Sequence, residues 1–162
     1  SDMTPKQLRA VMPNAGSRAD TYAAPLTAAA AEFDINTPRR LAAFIAQIAH
    51  ESGELRYVRE IWGPTAAQRG YEGRADLGNT EPGDGRRSVG EALGVDLLAT
   101  PERLEEPTLA ARSAGWFWHT RDLNRMADAD QFAAISRRIN GGYNGIDERI
   151  ANWLRAREVF GA

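Results

Sequence analysis

TPRRLAAFIAQIAHESG, residues 37–53, decides how the rest of the chain is read. Thr37 can cap a helix start, and Pro38 suits the first helical position, where no backbone N–H is needed. Leu41, Phe44, Ile45 and Ile48 follow at the i, i+3, i+4, i+7 spacing of one helical face. Gly53 ends the pattern and leaves His50 and Glu51 in the last turn. The stretch is predicted to be an amphipathic helix with one apolar stripe and a histidine–glutamate pair at its C-terminal end. Its apolar run, LAAFIAQIA (41–49), is too short to cross a membrane and is interrupted by Gln47.

Upstream, YAAPLTAAAAEF (22–33) reads as a helix ending near Phe33. Downstream the character changes. GPTAAQRGYEGRADLGNTEPGDGRR (63–87) is dense in Gly, Pro, Asn and Asp with no helical period, which predicts an irregular lobe over about 63–90. An unstructured length of that order inside a domain tends to be functional. Helical signals resume at SVGEALGVDLL (88–98) and continue through PTLAARSAGWFWHT (107–120). In ADADQFAAISRRIN (127–140), Phe132, Ile135 and Ile139 recur at helical spacing. After the glycine-rich turn INGGYNG (139–145), Asp147 is placed to cap a last helix carrying Ile150, Trp153 and Leu154. No strand ladder is visible. The fold class is mainly α, with one irregular lobe.

The totals narrow the functions. A chain of 162 residues is one domain's worth, and Ser1-Asp2 ahead of Met3 reads as an expression scar, which leaves a single domain over 3–162. A net charge of -2 gives no electrostatic footprint for nucleic acid. Cysteine is absent, which excludes disulfides and thiol catalysis. With only His50 and His119 as histidines, no metal site is expected. Neither a secretory signal nor a stable membrane anchor is read, so synthesis in a cytoplasm is expected.

The chemistry centres on carboxylates. Glu51, at the negative end of a helix dipole and partly buried, would have its charged form disfavoured, the environment a general acid uses. Glu60 follows the polar stretch ELRYVR (54–59), where Arg56 and Arg59 could hold a carboxylate ionised. Two carboxyl groups with environments pushed apart suit glycoside hydrolysis. A solvated helix-end glutamate and an orienting or packing His50 are the plainer alternatives. The metalloprotease pattern HExxH fails because position 54 is Glu54, and no GxSxG elbow exists to recruit Ser52 or Ser113 with His119. Of the tryptophans, Trp62 beside Glu60 reads as groove-lining; Trp116, Trp118 and Trp153 read as core.

Four stretches together, FIAQIAHESGELRYVRE (44–60), YEGRADLGNTEPGDGRR (71–87), AARSAGWFW (110–118) and RRINGGYNGIDER (137–149), resemble glycoside hydrolase family 19, in particular its chitinase-like lysozyme branch found in phage endolysins. The likeness runs in family order over nearly the whole chain. It implies a lysozyme-like helical domain whose irregular lobe borders the active-site groove, and an inverting mechanism without a cofactor. The family's general acid falls on Glu51 and its base on Glu60. Its Asn-Gly-Gly turn falls on Asn140 and Gly141, near the substrate, and His50 would order Glu51. Arg59, Trp62, Tyr71, Glu72, Arg74 and Asn79 lie in or beside the matching lobe as substrate contacts or braces.

The family pattern after Pro-Gly-Asp-Gly normally continues into a segment with a sugar-contacting glutamine and a hydroxyl that helps position the attacking water. Here PGDGRR (82–87) passes directly to SVGEALGVDLL. Poor placement of that water would weaken hydrolysis while leaving a groove that still binds glycan. Three functions follow: an endolysin-type hydrolase of peptidoglycan, reaching the cell wall after release from the cytoplasm; a chitinase acting on GlcNAc polymers; or a non-catalytic glycan-binding remnant. The expected partner is a glycan, peptidoglycan or chitin-type, bound by a monomer.

Overall fold

The computed structural model describes residues 2–58, 90–96 and 99–162. Among the described residues every regular element is helical. Helix α1 (Pro5–Val11) was not read from the sequence, although its signal is local. Thr4 and Gln7 form a capping box: Gln7 N–H donates to Thr4 Oγ1 at 3.1 Å, and Thr4 N–H donates to Gln7 Oε1 at 2.9 Å. Helix α2 (Arg18–Glu32) begins four residues ahead of the alanine-rich stretch. Helix α3 (Pro38–Glu51) starts where the sequence places it, with Arg40 N–H donating to Thr37 Oγ1 at 3.2 Å.

One feature of α3 corrects the sequence reading. It is no single apolar stripe: every residue from Leu41 to Ala49 is buried. Alanines 42, 43, 46 and 49 occupy the faces that a surface helix would give to charge, and their small side chains let neighbours approach from all sides. A helix apolar around its whole circumference is a core helix.

After a helical turn at 90–93 and a 3₁₀ turn at Pro101–Glu105, α4 (Pro107–Thr120) coincides with the stretch read as helical. Residues 127–140 divide between α5 (Leu123–Asp128) and α6 (Phe132–Asn140), and α7 (Ile146–Phe160) closes the chain. Asp147 does not cap α7. Gly145 does, in a left-handed conformation (φ 68°), and Asp147 and Glu148 lie in the first turn, where the helix dipole favours acids.

The most extensive packing joins α3 to α7, followed by α2 to α4, with α1 lying across α2 and α7. Trp118 is fully buried and meets Phe44 of α3 edge-on at 5.3 Å, while its indole N–H donates to Asn124 Oδ1 at 2.9 Å. Trp153 stacks on Phe132 at 4.8 Å. Gly115 lets α4 approach α2: a Cβ there would fall 2.5 Å from the Phe33 ring.

Two charge clamps tie the periphery together. Arg40 of α3 grips Asp128 with two hydrogen bonds of 2.9 and 2.8 Å, and Arg112 grips Glu32 at 2.9 and 3.0 Å. Hydrogen bonding from these guanidinium groups outweighs burial and holds the Asp128 and Glu32 carboxyls below their ordinary values. No helix among the described residues is long and apolar enough to cross a membrane.

Candidate active site at the end of α3

The fourteen residues of α3 make Glu51 its last helical residue. Burial of the preceding turns fixes the helix, so the Glu51 backbone is held by the core. Its exit is also tied down. Ser52 Oγ donates to Ile48 O at 2.6 Å and accepts from Leu55 N–H at 2.8 Å. Gly53, Glu54 and Leu55 then run successively in the left-handed region (φ 56°, 59° and 69°). For a buried leucine this is a strained backbone state, held only where the surroundings over-determine it. Here they do. The Glu54 carboxylate accepts from Asn14 N–H at 3.1 Å and Asn14 Nδ2 at 2.7 Å, and Arg18 Nη2 donates to Glu54 O at 3.3 Å.

The Glu51 side chain is 15% exposed, mostly shielded but still open to solvent on one side, and its Oε1 is buried. Its Oε1 lies 2.7 Å from Nη2 of Arg149 on α7, whose side chain is 2% exposed. The pair is close but lacks the alignment of a hydrogen bond at that oxygen. Arg149 is the residue of this candidate site that sequence reasoning missed. Its positive charge stands beside a carboxylate that the sequence reading surrounded only with apolar core and a helix dipole. The signal available was its place in the matched stretch RRINGGYNGIDER, nothing finer.

The same guanidinium reaches further. Arg149 Nη1 donates to Gln47 Oε1 at 2.7 Å and Nε donates to the backbone carbonyl of Asn144 at 3.0 Å. Gln47 Nε2 in turn donates to Ser136 Oγ at 2.8 Å. The polar interruption of the α3 run is therefore a buried link between three helices.

His50 Nδ1 lies 3.4 Å from Glu148 Oε1, and the imidazole rests on Gly145, where an added Cβ would approach Cε1 to 2.5 Å. Asn140 and Gly141 form the turn that precedes α7. Asn140 Oδ1 accepts from Gly142 N–H at 3.1 Å, and its Nδ2 donates to Asn144 O at 3.5 Å, the carbonyl that also receives Arg149. The structure thus sets Glu51 against the Arg149 guanidinium and Asn140 on the carbonyl that receives it, while His50 rests on Gly145 and Glu148 where α7 begins. Arg59, Glu60, Trp62, Tyr71, Glu72, Arg74 and Asn79 lie outside the described residues. Among the described residues no three of His, Asp and Glu come together as metal ligands would.

No protein-family model matches the chain. An endochitinase of Arabidopsis thaliana is 34% identical over 122 residues, which cover 65% of this chain and 44% of that protein. Chitinase 6 of Oryza sativa subsp. japonica is 29% identical over 150 residues, 78% of this chain and 54% of that one. The chain therefore spans about half the length of these curated relatives. Among solved structures, chitinase C from Streptomyces griseus HUT6037 superposes with a TM-score of 0.71 and 22% identity, over 98% of this chain and 76% of that one. That likeness establishes the mainly α, lysozyme-like helical fold. The plant chitinases match in sequence and the bacterial chitinase in fold, and both likenesses agree with the resemblance to the chitinase-like proteins of glycoside hydrolase family 19.

Proposed function

We propose that this chain is a glycoside hydrolase that cleaves β-1,4 bonds in GlcNAc polymers, with Glu51 as general acid and Glu60 as general base. One observation carries the reading: a mostly buried carboxyl that retains some exposure, paired with an almost fully buried arginine beside the Asn140 turn. In the inverting reaction Glu51 gives its proton to the glycosidic oxygen as the bond to the anomeric carbon breaks. Water attacks that carbon from the opposite face, and Glu60 takes the water's proton. Glu51 thereby becomes a carboxylate directly against the Arg149 guanidinium. A fixed positive charge aimed where negative charge develops favours the transition state over the ground state.

The relatives' names favour GlcNAc polymers over the peptidoglycan substrate expected at first from the sequence. Peptidoglycan remains the finer reading, with action on a cell wall after release. Side-by-side assays on chitin oligosaccharides and purified peptidoglycan separate the two. Glu51→Gln is expected to lower turnover at least a hundredfold in a variant whose circular-dichroism spectrum shows that it still folds. A variant retaining activity within tenfold of the parent removes Glu51 from the role. Glu60→Gln should be similarly severe, and a twofold effect there would direct attention to Glu72.

A further inference from the structure

We infer that Gln47 is a positioning residue, which fixes the Arg149 guanidinium so that one of its arms points at Glu51. The inference deepens the proposed hydrolytic reading and takes from it the role of Glu51.

Gln47 is fully buried in the middle of a helix whose other buried residues from Leu41 to Ala49 are apolar. Burying an amide is unfavourable unless its groups are satisfied. Gln47 and Glu51 stand four residues apart on α3, so they share a face one turn apart. Arg149 spans that turn with the two ends of its planar fork: Nη1 to Gln47 Oε1 at 2.7 Å and Nη2 to Glu51 Oε1 at 2.7 Å. Its third donor, Nε, is fixed on Asn144 O at 3.0 Å. With Nε and Nη1 held by neutral acceptors, the direction of Nη2 is no longer free.

The sense of the amide is also determined. Ser136 Oγ donates to Phe132 O at 3.2 Å, so its lone pairs face Gln47 and accept from Nε2. The opposite amide orientation would set N–H against the guanidinium N–H and leave two donors facing each other. The order is therefore single: Ser136 sets Gln47, Gln47 sets Arg149, and Arg149 meets Glu51. A carboxylate at position 47 would instead draw the guanidinium to itself. The neutral amide holds the cation without competing for it.

The test uses the full chain with Gln47→Met, Gln47→Glu and Ser136→Ala. Each is assayed on chitin oligosaccharide, and each is followed by the NMR signal of the Arg149 Nε–H, which reports guanidinium order without any turnover. Folded Gln47→Met is expected to lose about tenfold to a hundredfold in kcat with KM within about twofold, and its Nε–H signal should shift and broaden. Ser136→Ala should lose about threefold in kcat with a smaller shift of the same signal, and it decides the matter if Gln47→Met does not fold. Gln47→Glu should move the pH profile of kcat, which a merely structural amide would not. An unchanged Nε–H signal in Gln47→Met, or in Ser136→Ala if the former is unfolded, overturns the inference. So does kcat within twofold of the parent in the folded variant. A parent without turnover on either glycan would instead defeat the hydrolytic reading, and the NMR arm would still decide whether Gln47 holds Arg149.

Discussion

Gly145 shows how much of this site depends on one missing methyl group. It caps α7 in the left-handed region and also lies under the His50 ring. Gly141 is left-handed too, yet an added Cβ there meets nothing within 4 Å. Gly141→Ala should therefore lose only the backbone term, about 1 kcal/mol, whereas Gly145→Ala should lose about 2–3 kcal/mol because the imidazole must also move. Denaturant unfolding of the two variants measures the difference; equal losses would show that His50 yields freely. At this scale the sequence was legible where chemistry is local. His50 and Glu51 could be found because a helix stop and a family stretch surround them. Arg149 could not be paired with Gln47, since 102 residues separate them and only the packing of α7 on α3 brings them together.

Among the elements, α3 carries the site because its start, length and stop are all fixed. The start and stop were readable from Thr37, Pro38 and Gly53, which act through backbone geometry alone. Its complete burial was not, because alanine is compatible with a surface as well as a core. The meeting of helices decides between these, and no spacing within one helix records it. Likewise α1 escaped notice although its capping box is present in TPKQ, for its apolar content is slight until Leu8 and Val11 meet α2 and α7. The end of α3 should be sensitive to Ser52→Ala. Loss of the hydroxyl strands the buried Leu55 N–H, while Ile48 O keeps its backbone partner Ser52 N–H, at a cost of about 1–3 kcal/mol. A thermal unfolding midpoint equal to the parent's would show that the left-handed run holds itself.

For the molecule as a whole, the clamps Arg40–Asp128 and Arg112–Glu32 make a prediction about acid. Both carboxyls lie below their ordinary values because a guanidinium hydrogen-bonds them, so the folded state binds these protons less readily than the unfolded one. Their stabilisation is present above the ordinary carboxylate range and is lost as pH falls through it and below, over about pH 5 to 2. Both pairs are partly exposed, which limits each to about 1 kcal/mol or less. Asp128→Asn should flatten the acid limb of the Tm-against-pH curve; a curve parallel to the parent's would remove that clamp from the account. The helical architecture was legible at this scale, and so was the resemblance to the family, because several short stretches agree in order. Half of the expected carboxylate pair, Glu60, lies with its lobe outside the described residues.

The bend that leaves α3 stores conformational tension, and a distant asparagine keeps it loaded. Loosening the Asn14–Glu54 tether, by Asn14→Ala for instance, would let residues 53–55 relax and redirect the chain that follows them. The helical content would survive. The expected phenotype is thus an intact circular-dichroism spectrum with depressed glycan turnover, damage caused by a residue forty positions away in the chain but touching the same bend.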